Sequence, residues 1–547
     1  MTGQPAAPSR PDTGAWRDGA GSGLDGLTSL VRAEWTKFRT VRGWVIGMIV
    51  AALITVLIGY VTAAGSHMGC GPSGRPCHFI NPVGPDGEAV TDSLYFVRRP
   101  LAGNGSITAR VTSLTGELPT QTGGRVRAGQ GVGTGMHPGL EPWSKGGLII
   151  SASTRLGSAY AAVMVTGSHG VRMQYDYTQD IAGPPGRPSA ASPRWLRLTR
   201  SGDTIAGYES ADGTHWTRIG TATLPGLPAT VQAGLFATSP SYSATTAQGI
   251  VGISSTGGPT LATAVLDHVS LRGTWPSGAG SPGGAWRGGA IGTGPSIAYP
   301  VMDGSYHDSG GRFTVTGSGD IAPVTNSGAG DGQSIQAGLA GAFFGLIAVV
   351  VVAAMFITAE YRRGLIRTTL AAGPRRGQVL AAKAIVIGAV SFVAGVVAAM
   401  IAIPVYTRIA TSNGSYIYPV SALTEVRVVA GTAALLAVAA ILALAAGAML
   451  RRSAIAVTAV IVVIVLPYVI SVTNLLPAGA SQWVLRLAPA AALSIQQAIP
   501  NYPQAGSVCT AAAGCYPLAP WAGFAVLCAW AAAALALAVF LLRRRDA

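Results

Sequence analysis

The chain has 547 residues, of which 49% are hydrophobic and only 11% charged, and its formal net charge is +15. Soluble domains carry about 25% charged residues, so an ordinary soluble enzyme is excluded. Gly, Ser, Thr and Pro dominate residues 65–333, whereas Ala, Val, Leu and Ile dominate 334–547; this division reads as a membrane protein with one large soluble insert.

Residues 1–26 are polar and Gly/Pro-rich and read as a disordered cytoplasmic tail. The stretch "LVRAEWTKFRTVRGW" follows. Over 27–43 its spacing predicts an amphipathic helix, with Leu27, Val31, Trp35 and Phe38 on one side and Lys37, Arg39 and Arg42 elsewhere. Such a helix lies in the membrane interface. The apolar run Trp44–Ala64 is longer than the core of a signal peptide and is read as an uncleaved first span. Five more runs have this character: Leu339–Ala359, Ala384–Ile403, Val428–Leu450, Ala454–Val472 and Trp521–Leu542. At about 1.5 Å per residue, ~20 residues cross the ~30 Å hydrocarbon layer. Pro467 is expected to kink the fifth run.

Between the first two spans, residues 65–333 form the insert. Within "WLRLTR", Leu196 and Leu198 alternate with Arg197 and Thr199, as in a half-buried strand. Asp212-Gly213 reads as a two-residue hairpin turn and Gly167 to Gly170 as another tight connection. Short strands with regular turn signals imply an antiparallel β-sandwich over about 88–273. The Gly/Ser/Pro-rich stretch within 274–298 reads as a linker. Scattered carboxylates and histidines give neither a glycosidase pair nor an HxH or HExxH metal unit, so no catalytic or metal site is expected.

The stretch "EYRRGLIRTTLAAGPRRGQVLAAK", Glu360 to Lys383, joins the second and third runs and holds six basic residues and one acid. Glu360–Ala372 is predicted to be a short helix, broken by Gly373-Pro374. Its basic residues fall on the same side as those near 32–42, 451–452 and 543–545, while the opposite short segments hold only Arg408, Arg427 and Arg486. This positive-inside asymmetry puts both termini in the cytoplasm and residues 65–333 outside, in a plasma-membrane protein. The insert carries 17 Lys/Arg against 15 Asp/Glu, so +13 of the +15 belongs to the membrane part. The basic charge therefore reports topology, and no nucleic-acid partner is inferred. Cys70 and Cys77, and Cys509 and Cys515, are close pairs on the oxidising side and suggest two small disulfide loops; a metal site is the rival reading.

None of the six runs contains Asp, Glu, Lys, Arg or His, which argues against ion-coupled transport. The chain also lacks a GxxxxGK[ST] phosphate loop, so it is not read as an enzyme, and any nucleotide hydrolysis belongs to a partner.

The quoted loop resembles the segment between the second and third spans of type-2 ATP-binding-cassette (ABC) permeases, and "LVRAEWTKFRTVRGW" is similar to that family's N-terminal entry. The resemblance implies a dimer of permease subunits, or of this chain with a homologue, driven by separate cytoplasmic ATPase subunits that bind ATP and Mg, with no cofactor in this chain. It places Glu360, Arg362, Arg363 and Arg367, and more weakly Arg375 and Arg376, at the ATPase interface. It also implies short re-entrant helices in "SQWVLRLAPAAALSIQQAIP" between spans five and six. Gly341 and Gly345 give a GxxxG step that suits either dimerisation or packing within one chain. "WSKGGLIISAS" and "WLRLTRSGDTIAGYESADGTHWTRIG" are similar to concanavalin-like (laminin-G-like) jelly-roll modules, many of which bind glycans; Trp143, Trp195, Tyr208 and Trp216 are the candidate sugar contacts, with core packing as the alternative. The expected fold is thus six transmembrane helices with a large extracytoplasmic β-sandwich. The expected function is the membrane subunit of an ABC exporter, and the alternative is a membrane-anchored glycan- or ligand-binding sensor.

Overall fold

The computed structural model describes residues 23–66, 69–70, 75–76, 82–119, 135–248, 252–276, 285–292, 303–325, 332–362, 376–473, 476–505, 511 and 514–544. Helix α1 spans Gly23–Thr40 and α2 spans Arg42–Ala64, separated by an extended Val41. After the insert come α3 (Ala342–Arg362), α4 (Arg376–Ser412), α5 (Ala422–Leu450), α6 (Ser453–Val472), the short α7 (Ala478–Leu487) and α8 (Pro520–Arg544). Six helices are long and apolar enough to cross a membrane: α2, α3 with the 3-10 turn before it, α4, α5, α6 and α8. The chain is a multi-pass membrane protein with a large antiparallel β-domain between α2 and α3.

Alanine and glycine let the helices approach closely. Helix α5 is buried along most of its length against α3, α4 and α8. The GxxxG step is used within the chain: a Cβ at Gly341 would lie 2.2 Å from the Thr55 carbonyl oxygen, and one at Gly345 would lie 2.3 Å from Thr55 Oγ1. Only a residue without a side chain permits this α2–α3 contact. Between α6 and α8, α7 and a 3-10 helix over Pro489–Gln496 occupy the segment expected to hold short helices. Trp530 Nε1 of α8 donates to the Leu487 carbonyl at the end of α7, at 3.0 Å, and ties the two helices together.

In the β-domain the long strand Leu94–Pro119 serves two layers. One layer contains Thr217–Thr223, Thr204–Ser210, Arg194–Ser201, residues 105–111 of the long strand, and Leu261–Thr274. The other contains Arg287–Ile291, residues 94–102, Thr230–Thr238, Lys145–Ser151, Tyr160–Thr166, Val171–Tyr175 and Gln179–Ala182. Val97, Leu148, Ile150, Val163, Leu196, Leu198 and Leu235 fill the space between them. Arg287–Ile291 corrects the reading of 274–298 as linker throughout. Its backbone pairs with residues 94–98, and Trp286 packs edge-on to Phe313, anchors that a Gly-rich composition does not reveal. The Asp212-Gly213 turn is also longer than two residues. Pairing ends at Glu209–Thr217, because the Asp212 carboxylate accepts the Thr214 and His215 amides at 2.8 Å and builds a wider loop.

Lys145–Ser151 and Tyr160–Thr166 are buried at every residue. Their second faces are covered by a small antiparallel pair, Val90–Asp92 with Ile321–Pro323, over a core of Phe96, Ile149, Tyr160, Met164 and Phe236. Lys145, fully buried, donates to Asp320 Oδ1 at 2.5 Å and to the Ile321 carbonyl at 2.9 Å. Tyr177 donates to Asp92 Oδ2 at 2.9 Å. These polar pins fix the covering strands, which lead back towards the helices. There Ala89, Val324, Tyr418 and Ile499 share a core, Gly332–Gln333 pairs with Tyr416–Ile417, and Gln504 Nε2 donates to the Thr178 carbonyl at 2.9 Å. Lys145→Ala strands Asp320 in a buried site. We expect a cost of about 3–5 kcal/mol and faster proteolysis of the β-domain, whereas an unchanged unfolding midpoint in denaturant would show that the pin is dispensable.

Candidate functional site at the base of the bundle

Two charges bracket the quoted loop. Glu360 directly follows the run ending at Ala359, and Lys383 directly precedes the one beginning at Ala384. Since α3 and α4 run in opposite directions, both charges reach the same end of the bundle, and there they meet. Lys383 Nζ lies 2.7 Å from Glu360 Oε1 and 2.7 Å from Glu34 Oε2 on α1. Lys37, one turn along α1, completes the cluster at 2.8 Å from Glu34 and 3.2 Å from Glu360. Lys383 and Glu34 are 1% and 2% exposed, and Glu360 is buried, while Lys37 is 41% exposed and links the cluster to solvent. Two carboxylates and two ammonium groups neutralise one another, which is the condition under which such burial is tolerated.

Aromatic rings close the same contact. Phe38 on α1 and Trp44 on α2 meet Phe356 on α3 edge-on, at 5.8 and 4.9 Å between ring centroids. Lys383 Nζ sits 4.8 Å from the Phe356 ring. The start of α4 is fixed from its other side by Arg376, which donates to the Leu542 carbonyl of α8 at 2.7 Å.

The candidate residues therefore separate. Glu360 is buried in the cluster and Arg376 is half-buried, whereas Arg362, Arg39 and Arg42 are exposed and Trp35 is 45% exposed. Arg363, Arg367 and Arg375, with most of the predicted helix over 360–372, lie outside the described residues; Glu360–Arg362 form the end of α3. Sequence reasoning missed Glu34 and Lys383 as partners, although Glu34 is the sole acid of "LVRAEWTKFRTVRGW" and Lys383 sits against an apolar run. Among the four candidate sugar contacts, Trp195, Tyr208 and Trp216 come together on one layer, while Trp143 is 8% exposed and stacked on His169 at 3.9 Å elsewhere. Cys515 is buried, Cys528 is a free thiol in α8, and Cys77 and Cys509 lie outside the described residues.

The model of the ABC-2 family transporter proteins matches residues 211–547, more than half of the chain. The chain belongs to the ABC-2 transporter family. A permease role in ABC transport follows for this ABC-2 protein, and the match takes in part of the β-domain together with α3–α8. No curated protein matches it. Among solved structures, a functionally unknown protein from Saccharomyces cerevisiae is 14% identical over 34% of this chain and 76% of its own, with a TM-score of 0.19. A GH43 protein mutant from Bacillus licheniformis is 12% identical over 24% of each chain (TM-score 0.16), and scytalido-glutamic peptidase is 8% identical over 43% of this chain and all of its own (TM-score 0.20). None of these likenesses bears on the activity of the ABC-2 protein.

Lys383→Met leaves Glu34 and Glu360 buried without their shared partner. The expected loss is about 3–5 kcal/mol, read as a lower unfolding midpoint in detergent and easier proteolytic release of α1. Adding Glu34→Gln and Glu360→Gln is expected to restore at least half of it. Full stability of Lys383→Met alone would contradict the role given to the cluster.

Proposed function

We propose that the chain is the membrane subunit of an ABC exporter, working as a dimer with a second permease copy or a homologue, and driven by separate cytoplasmic ATPase subunits that supply the ATP and Mg chemistry. The observation that carries this reading is the Glu34–Lys37–Glu360–Lys383 cluster. It joins α1 to the two helices that flank residues 363–375. In this mechanism an ATPase seats on the segment that includes Arg362, Arg363 and Arg367, and its closure pushes the segment. The ion cluster makes α1 and the bases of α3 and α4 move as one body, and the opposite end of the bundle opens. Glu360 then acts by holding the segment in place, and the exposed arginines make the contact.

The positive-inside pattern supports cytoplasmic termini, with the β-domain outside. That placement suits pairing of Cys509 with Cys515, which is not a free thiol, and of Cys70 with Cys77. Tandem charge reversal at Arg363 and Arg367 tests the docking assignment. Mass spectrometry of the complex purified in mild detergent should find a stoichiometric ATPase with a phosphate loop, and the Arg363→Glu/Arg367→Glu chain should lose it. Repeated purification without any ATPase would favour a membrane-anchored binding protein.

A further inference from the structure

A short turn over residues 83–89 lies where the β-domain meets the outer end of the bundle. Val83 pairs with Ala89, the Gly84 amide donates to the Glu88 carbonyl at 2.8 Å, and Gly87 closes the tip with a left-handed φ of 86°. Ala89 then enters the core shared with Val324, Tyr418 and Ile499, and the Val324 amide donates to the Ala89 carbonyl at 3.0 Å. A cavity of about 220 Å³ opens at this seam. It is bounded by Asp86 and Glu88 of the turn, by Tyr418 ahead of α5, by Thr424 in its first turn, and by Tyr502 ahead of α8.

The seam gathers acids without a base. Neither oxygen of the Glu88 carboxylate is exposed by as much as 1 Å² or has a hydrogen-bond partner among the described residues. A side chain at Gly84 would strike Glu88 Oε1, so the carboxylate is folded under the backbone of its own turn. Asp86 at the exposed tip and Asp176, just after the strand Val171–Tyr175, are the charges that act on it. No Lys, Arg or His lines the cavity, and among the described residues no cation acts on Glu88 or Asp176. Burial, partly offset by nearby backbone amides and reinforced by Asp86 and Asp176, pushes the Glu88 carboxyl above its ordinary value. Burial, with a smaller contribution from Asp86, pushes Asp176 up to about 6. Burial, and then the charges of Glu88 and Asp86, raise the Tyr502 phenol across the seam.

We propose that this seam is a proton-operated latch with Glu88 as its switch: the turn seats on the bundle while the Glu88 carboxyl is protonated and lifts when it ionises. A carboxylate with neither a cation nor a hydrogen bond must reach water to hold its charge. In the seated turn it does not reach water, and the adjoining cavity is where water enters once the turn lifts. Seating therefore favours the protonated acid, and by linkage acid favours seating. The preference is complete below the ordinary carboxylate pKa of about 4.3 and is lost as pH rises through the raised value of the seated group. Repulsion from Asp86 and Asp176 works in the same direction. Among the described residues no three His, Cys, Asp or Glu side chains converge to hold a metal ion, which leaves the proton as the neutralising cation. The latch does not depend on what the permease carries.

Hydrogen–deuterium exchange of the full-length protein in nanodiscs of neutral lipid reads the latch, with rates corrected for the intrinsic effect of pH. Between about pH 4.5 and about pH 7.5, protection of peptides covering 82–90 and 498–505 is expected to fall by about tenfold or more. Protection of Lys145–Ser151 should stay constant, which shows that the β-domain itself remains folded. Glu88→Gln, neutral at both pH values, should keep the acid-level protection throughout. Glu88→Met, which fills similar space without charge, should behave alike and serves if the glutamine variant folds poorly. Asp176→Asn should retain a pH response. Equal protection of the seam peptides at both pH values in the unaltered protein would overturn the proposal. So would a response undiminished in both Glu88 variants, or one abolished by Asp176→Asn alone. Protection restored by calcium at neutral pH, and lost in Glu88→Gln, would also overturn it by making these carboxylates a metal site.

Discussion

The base of the helix bundle rests on one electrostatic constraint. Two carboxylates and two ammonium groups sit at the edge of apolar sequence, where any of them alone would be costly to bury. They come from α1, α3 and α4, so the cluster forms only when the three helices are in register. Lys383 is the keystone because it reaches both Glu34 and Glu360 at 2.7 Å while almost wholly buried. The rings of Phe38, Trp44 and Phe356 pack beside it, and these apolar surroundings strengthen the interaction and raise the penalty for breaking it. Through this contact the helix that precedes the first span is mechanically joined to the two helices that bracket residues 363–375.

At the opposite end a comparable logic fixes the β-domain. Its second layer is covered on both faces, and the covering strands are held by Lys145 on Asp320 and by Tyr177 on Asp92. Those strands are continuous with the chain that enters α3. A shared apolar core of Ala89, Val324, Tyr418 and Ile499, with the Gln504 bond to Thr178, seats the sandwich on the helices. The sandwich is thus seated on the membrane part by that core and that bond, through covering strands that the buried pairs hold in place.

Much of this architecture was legible in the sequence, for physical reasons that also mark the limit. The six spans follow from hydropathy, a local property, and the Arg194–Ser201 strand follows from strict alternation. The partners of Lys383 do not follow from any local pattern: Glu34 is 349 positions away, and only the folded bundle brings the two together. A strand without distinctive side chains, such as Arg287–Ile291, is recognised by the backbone it pairs with. Trp143 shows the complementary limit, since a tryptophan beside a strand reads alike whether it faces solvent or, as here, is buried on His169.

In the proposed mechanism α1 and the bases of α3 and α4 behave as one body when an ATPase acts on them. Spin labels at Thr36 on α1 and Gly377 on α4, measured by pulsed electron paramagnetic resonance in the complex with its ATPase, test this most directly. The expected result is one narrow distance distribution that is the same with nucleotide absent and with ATP trapped by vanadate. A second population displaced by about one helical turn, ~5 Å, on nucleotide trapping would mean that α1 moves independently and that the cluster does not transmit the stroke.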